Sequence, residues 1–112
     1  MDIPFSKLPI NNSDINNLKR SILSGWLTHG KYSLKFEDEF KKFTKSKYSS
    51  LVSSCTAGLH LTCLDLSINA NDEVIVPAQT HTATAHAVEL TGAKAVFVDT
   101  EPITANIDAD LI

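Results

Sequence analysis

Two short apolar runs enclose a helical stretch in residues 73–98, EVIVPAQTHTATAHAVELTGAKAVFV, and this stretch decides the fold. The runs Glu73–Val76 and Ala95–Val98 are rich in β-branched residues and predict strands. Residues Thr82–Leu90 predict a helix between them, and Gly92 fits its C-terminal cap. A strand, a crossover helix and a second strand predict a parallel βαβ unit.

The preceding residues extend this pattern. Residues Ser50–Ser53 predict a further strand and Ala57–Leu66 a further helix, so residues 49–112 are expected to be the βαβαβ part of a larger α/β domain. At the other end, Asn106–Asp108 reads as an acidic cap before apolar residues that begin a helix. We therefore expect the chain to be an N-terminal fragment.

Residues 1–48 predict an extended arm and helices. Ser13 or Asp14 is expected to cap a short helix that ends at Gly25. A second helix is predicted over about Ser33–Thr44, with three phenylalanines at helical spacing, and the loop Trp26–Gly30 lies between the two helices.

Composition excludes several classes of protein. The 112 residues are 43% hydrophobic and 21% charged, which is typical of a globular domain. A net charge of -3 gives no electrostatic reason to expect nucleic acid or an anionic membrane as a partner. No run of apolar residues reaches the length of a membrane span, and no signal peptide is recognised, so we expect a cytoplasmic protein.

A candidate anion site follows the first predicted strand. Residues Ser53–Gly58 join that strand to a helix through small and hydroxyl side chains. The N–H groups of a helix N-terminus can bind a phosphate there, with Ser54 and Thr56 adding hydroxyl donors. The alternative is an ordinary cap formed by Ser54 or Thr56.

His81 follows the second predicted strand, at the start of a helix. Its ring can stack on a flat cofactor, act as a general base, or simply begin the helix. A zinc site that combines it with His60 and His86 is disfavoured, because i, i+5 spacing suits one helical face poorly. Asp99 ends the last strand, where an acid either orients a ligand or forms a turn. The aromatic Trp26 marks either a ligand contact or a lid on the helix below.

Taken together, these segments resemble the DegT/DnrJ/EryC1/StrS family of pyridoxal-phosphate-dependent sugar aminotransferases, which have an aspartate-aminotransferase-like (fold type I) architecture. The resemblance covers nearly the whole chain in six ordered blocks: residues 24–40, 54–61, 71–77, 80–85, 92–99 and 106–108.

The resemblance implies roles for matching positions. Thr56 and Ala57 fall on the segment that binds the phosphate of pyridoxal phosphate, and His81 falls on the position that stacks on its pyridine ring. Trp26 and Thr28 fall in a loop expected to meet the substrate. The implied reaction transfers an amino group from glutamate to a nucleotide-linked keto sugar, in amino-sugar biosynthesis for polysaccharide, cell envelope or secondary metabolite, and the implied protein is a homodimer.

The resemblance also shows departures. Cys55 stands where glycine is common, and Gly58 where alanine is common. The Schiff-base lysine of the family lies outside the matching blocks, so no catalytic residue is assigned; Lys94 is expected to be a solvated turn residue. Two alternatives follow: an inactive remnant, or a dehydratase of the same family that uses the same cofactor.

Overall fold

The computed structural model describes residues 3–112 and divides into two units, Met1–Leu51 and Val52–Ile112. Met1 and Asp2, the start of the predicted N-terminal arm, lie outside the described residues. Across residues 3–112, none of the helices combines the length and the apolar character that crossing a membrane requires.

The first helix, α1, spans Asn12–Leu23 in the first unit. Its cap is Asn11, whose side-chain oxygen accepts the N–H of Ser13 at 2.7 Å and that of Asp14 at 3.3 Å. The Asp14 carboxylate accepts the Asn11 N–H at 2.9 Å and completes a capping box. The prediction of Ser13 or Asp14 as the cap was wrong, because Asn11, two residues before Ser13, satisfies the first donors instead. Gly25, at φ 72°, follows the helix in the left-handed region.

The second helix, α2, spans Lys31–Thr44 and begins two residues before its predicted start. Its N-cap residue is Gly30, which supplies no side-chain cap, and Lys45 ends it in the left-handed region at φ 57°. The rings of Phe36 and Phe40 stack with centroids 5.9 Å apart. The 3.6-residue period of the phenylalanines therefore predicted the helix correctly.

The second unit contains the predicted βαβ arrangement. Strand β1, Glu73–Pro77, and strand β2, Lys94–Val98, pair in parallel, with Val76 opposite Phe97. Helix α4, Thr82–Glu89, connects them. The mixed α/β fold class is thereby confirmed. Helix α3, Cys55–Asp65, packs against α4, and a short 3₁₀ helix, Ala109–Leu111, follows a cap at Asp108.

A small apolar core holds α4 against the sheet. Val76 of β1, Val88 of α4 and Ala93 are each less than 5% exposed. Half-buried side chains that include Cys63 and Val74 pack around them. Because the Ala78 N–H donates to the Val98 carbonyl at 2.8 Å, the loops after the two strands start from the same edge of the sheet.

The predicted strand over residues 50–53 is not formed: this segment has no strand assignment and no ladder partner among the described residues. The Leu51 N–H instead donates to the Glu37 carboxylate at 2.7 Å. The strand prediction was wrong, because an apolar run becomes a strand only where a neighbouring strand accepts its hydrogen bonds.

Candidate functional site

The first turn of α3 is the candidate anion site. Ser54 caps the helix, and its Oγ accepts the Ala57 N–H at 3.1 Å. Within residues 3–112 no acceptor meets the N–H groups of Cys55 or Thr56, nor the Thr56 hydroxyl. These donors lie at the positive end of the helix dipole, which favours a bound anion. A helix cap and an anion site can therefore coexist in this turn, because the cap uses the Ala57 N–H and leaves the N–H groups of Cys55 and Thr56 for an anion.

The first turn of α3 has room for a larger residue at Gly58. A Cβ atom placed on Gly58 would lie 3.5 Å from Cγ2 of Val52, an ordinary van der Waals distance. Gly58 is therefore not required by close packing, and alanine fits the same position. The departure from the family pattern leaves the shape of the turn intact.

His81 is the N-cap of α4. Its Nδ1 accepts the Ala83 N–H at 3.1 Å, while the ring remains exposed. An acceptor at Nδ1 requires the neutral ring to carry its proton at Nε2. The cap therefore fixes the orientation of the imidazole plane at the start of the helix and leaves one nitrogen free to donate.

Two open clefts lie along α4. One, of about 330 Å³, is lined by the loop after β1 together with α4 and β2: Ala78, Thr80, Thr82, Ala85, His86, Glu89 and Phe97. The other, of about 360 Å³, is lined by Thr56, His86, Glu89 and Leu90. His86 and Glu89 line both clefts, whereas His81 lines neither. The structure thus brings Thr56 beside two α4 residues to which the sequence analysis assigned no role in anion binding. Their i, i+3 spacing places them on one face of the helix and could have indicated that they act as a pair.

The segment after β2 forms a closed loop. Oδ1 of Asp99 accepts the Thr100 N–H at 2.8 Å, which favours the turn-forming reading of this aspartate. Glu101 accepts hydrogen bonds from the Thr104 hydroxyl, from the Ile103 N–H at 3.0 Å and from the Thr104 N–H at 2.7 Å. The Thr104 hydroxyl first, and then the two backbone donors, hold the pKa of the Glu101 carboxyl below its ordinary value.

Lys94 opens β2, so its prediction as a turn residue was wrong. Its Nζ lies 2.7 Å from Oε1 of Glu73, the residue opposite it in the strand register. Both side chains are exposed, so the ion pair contributes little stability. The Lys94 ammonium group is nevertheless paired with the Glu73 carboxylate.

In the first unit, a cleft of about 370 Å³ lies beside the start of α2 and is lined by Ser24, Trp26, His29, Gly30 and Lys31. The indole of Trp26 is 63% exposed and lies against Gly30, where any Cβ would come within 2.4 Å of Trp26 Cδ1. Thr28 is exposed and does not line this cleft. Of the two residues predicted to meet substrate, Trp26 lines this cleft and Thr28 does not.

The second unit is therefore a parallel βαβ arrangement with helix α3 packed against α4, and the first turn of α3 carries the candidate anion site. The sequence profile of the DegT/DnrJ/EryC1/StrS aminotransferase family matches residues 9–112. The chain belongs to this family, as the resemblance indicated.

Solved structures support the assignment. A protein described as a sugar aminotransferase from Streptococcus pneumoniae, in its pyridoxal-phosphate form, is 34% identical over 99% of the chain, with a TM-score of 0.90. An aminotransferase from Psychrobacter cryohalolentis is 33% identical over 96% of the chain, with a TM-score of 0.84. The GDP-4-keto-6-deoxy-D-mannose-3-dehydratase of E. coli, with bound hydrated pyridoxal phosphate, is 27% identical over 97% of the chain, with a TM-score of 0.86. The chain spans 28%, 28% and 30% of these three chains respectively.

Proposed function

We propose that this chain provides the phosphate-anchoring and ring-covering part of a pyridoxal-phosphate-dependent aminotransferase that acts on a nucleotide-linked keto sugar. The observation that carries the proposal is the first turn of α3, where the Cys55 and Thr56 N–H groups and the Thr56 hydroxyl meet no acceptor among residues 3–112. These donors coincide with the segment that binds the cofactor phosphate in the family.

The donor set suits a phosphate dianion. Two helix N-terminal N–H groups and a hydroxyl from Thr56 supply charge-assisted hydrogen bonds. The Glu89 carboxylate lines the same cleft and opposes an anion, whereas the imidazole of His86 beside it offers an N–H donor. The residues therefore fit the group, with Thr56 as the principal side chain.

His81 has the second role in this proposal. Its imidazole covers one face of the pyridine ring, and the bond from the Ala83 N–H to Nδ1 holds the imidazole plane in a fixed orientation. Pyridoxal phosphate supplies an electron sink for bond changes at the amino-bearing carbon when it is bound. The residues of this chain anchor and orient; no described residue is assigned a proton-transfer or covalent role.

The family and the relatives support the substrates of this proposal. The amino donor is glutamate and the acceptor is a nucleotide-linked keto sugar, for which Trp26 offers an exposed aromatic surface beside the cationic Lys31. A cytoplasmic homodimer is part of the same proposal. Thr28 remains a candidate for substrate contact from its place in the loop.

The second candidate function is sugar dehydration with the same cofactor. It is supported by the similarity to the E. coli dehydratase at a TM-score of 0.86. An inactive remnant is the third outcome, because no residue of this chain is assigned to the chemical step.

One experiment separates these functions. The protein is expressed from its complete reading frame and incubated with pyridoxal phosphate, glutamate and a panel of nucleotide-linked 4-keto and 3-keto sugars. Equimolar amino sugar and 2-oxoglutarate support the proposal. Loss of a sugar hydroxyl without amino transfer identifies a dehydratase, and a protein that neither binds the cofactor nor changes any sugar is a remnant.

A further inference from the structure

Glu37 connects two segments that lie on either side of α2 in sequence. Its Oε1 accepts the Leu51 N–H at 2.7 Å and lies 3.6 Å from Nε2 of His29. The Glu37 side chain is 17% exposed, so both interactions are partly shielded from water. A single carboxylate oxygen therefore meets a backbone donor after the helix and an imidazole before it.

The other acidic residues in the middle of α2 behave differently. Glu39 pairs with Lys35 at 3.6 Å, and both side chains are more than 60% exposed. Asp38 pairs with Lys41 and Lys42 within the same helix. These pairs are surface contacts of the kind that stabilise a helix slightly. Of these three acidic residues, Glu37 is the one whose carboxylate contacts residues outside α2.

The loop on the His29 side is tied at several points. Oγ of Ser24 accepts the Trp26 N–H at 3.4 Å, and the Trp26 indole N–H donates to the His29 carbonyl at 3.4 Å. The indole lies against Gly30, which leaves no room for a Cβ. Moving His29 consequently moves the acceptor that holds Trp26, so the position of the imidazole sets the position of the aromatic surface in the 370 Å³ cleft.

We propose that Glu37 is a positioning residue for the sugar substrate, in that its carboxylate holds His29 and, through the His29 carbonyl, the indole of Trp26. The inference rests on the proposed function, because it takes the Trp26 cleft as the place where a nucleotide-linked sugar binds. Lys31 gives this cleft positive charge, which suits an anionic diphosphate-bearing ligand. Glu37 touches neither substrate nor cofactor in this account.

Two substitutions each remove one side of the contact between Glu37 and His29, and a third serves as a control. Glu37→Gln keeps an oxygen that accepts the Leu51 N–H but removes the negative charge that attracts the imidazole. His29→Gln removes the imidazole and leaves the carboxylate. Glu39→Gln, two residues along the same helix, is the matched control, because it removes an equal charge from a mostly exposed pair.

The test measures KM and kcat of the complete enzyme for the keto sugar and for glutamate. Glu37→Gln and His29→Gln are each expected to raise KM for the sugar roughly three- to five-fold, the range for a partly shielded charge pair. The kcat and the KM for glutamate should remain at the wild-type values, and so should all constants of Glu39→Gln. The double variant should match the single variants, because both remove the same interaction.

Three results would overturn the inference: an unchanged sugar KM in Glu37→Gln, equal changes for sugar and glutamate, or additive effects in the double variant. If the wild-type protein transfers no amino group, the proposed function fails separately. The same four variants are then compared by calorimetric titration with UDP-, GDP- and dTDP-linked hexoses. A higher Kd in Glu37→Gln and His29→Gln, with an unchanged Kd in Glu39→Gln, still supports the inference. Equal affinities in all the proteins, or no binding by the wild type, reject it.

Discussion

His81 has two roles that can be separated by substitution. It caps α4 by accepting the Ala83 N–H at Nδ1, and it is proposed to cover one face of the pyridine ring. Asparagine is among the best N-cap residues but has no ring, whereas phenylalanine has a flat ring but no acceptor. His81→Asn therefore keeps the cap and removes the stack, and His81→Phe does the reverse.

The expected magnitudes follow from the two interactions. Loss of an N-cap bond costs about 1 kcal/mol, so in His81→Phe the first-turn amides of α4, including that of Ala83, should lose about five-fold in hydrogen-exchange protection. Loss of a stacked ring also costs about 1 kcal/mol, so in His81→Asn the Kd for pyridoxal phosphate should rise about five-fold.

The assay combines hydrogen exchange of residues 82–86 with titration of the cofactor by absorbance, on the complete protein. Protection should fall in His81→Phe and remain in His81→Asn, while affinity should fall in His81→Asn and remain within about two-fold in His81→Phe. The reverse pattern, with cofactor affinity following the cap and not the ring, would refute the stacking role.

Three further perturbations test the local geometry. Gly58→Ala should raise the free energy of unfolding by about 0.5–1 kcal/mol in chemical denaturation, since the new Cβ meets Val52 at 3.5 Å and glycine is a poor helix residue; a destabilised variant would contradict the described turn. Gly30→Ala should displace the Trp26 indole, which would otherwise lie 2.4 Å from the new Cβ, and should shift the fluorescence of that residue; an unchanged spectrum would count against this packing. Hydrogen bonds lower the pKa of the Glu101 carboxyl. The stability that the ionised carboxylate gives the loop is therefore fully present above the ordinary pKa of 4.5 and is lost as the pH falls through the lowered pKa. Protection of the loop amides at residues 103 and 104 should consequently fall in that acid range in the wild type but show no such acid dependence in Glu101→Gln, and an acid-insensitive wild type would disprove this.

The βαβ unit was predictable because its signals are local. The alternation of strand and helix composition over residues 73–98 placed β1, α4 and β2 to within a residue or so at each end. Gly92, at φ 86°, follows α4 as the glycine signal predicted. Period and turn chemistry act within a few residues of sequence, so they can be read without knowledge of the tertiary fold.

Features that depend on distant partners were not predictable. The segment 50–53 has the composition of a strand but pairs with no strand among the described residues. Its Leu51 N–H meets a Glu37 carboxylate fourteen residues away in sequence, a contact that local composition does not reveal. The cleft residues His86 and Glu89 were likewise missed as a pair, since what places them beside Thr56 is the packing of α3 on α4.

At the candidate site, the sequence pointed to the first turn of α3 but did not specify which residue caps the helix. Either Ser54 or Thr56 was an acceptable cap, and the structure assigns the cap to Ser54 through the Ala57 N–H. That choice leaves Thr56 with its N–H and hydroxyl for a ligand. The distinction depends on the residue at which the helix begins, which the sequence left open between two candidate caps.

The central claim is that the first turn of α3 binds the cofactor through its phosphate. The most direct test compares the affinities of the complete protein for pyridoxal phosphate and for pyridoxal, which lacks the phosphate, in wild type, Thr56→Val and the control Thr62→Val on the same helix. Thr56→Val should reduce the preference for pyridoxal phosphate by at least about ten-fold and leave pyridoxal binding unchanged, with Thr62→Val equal to wild type. Equal preference in all three proteins would contradict the claim.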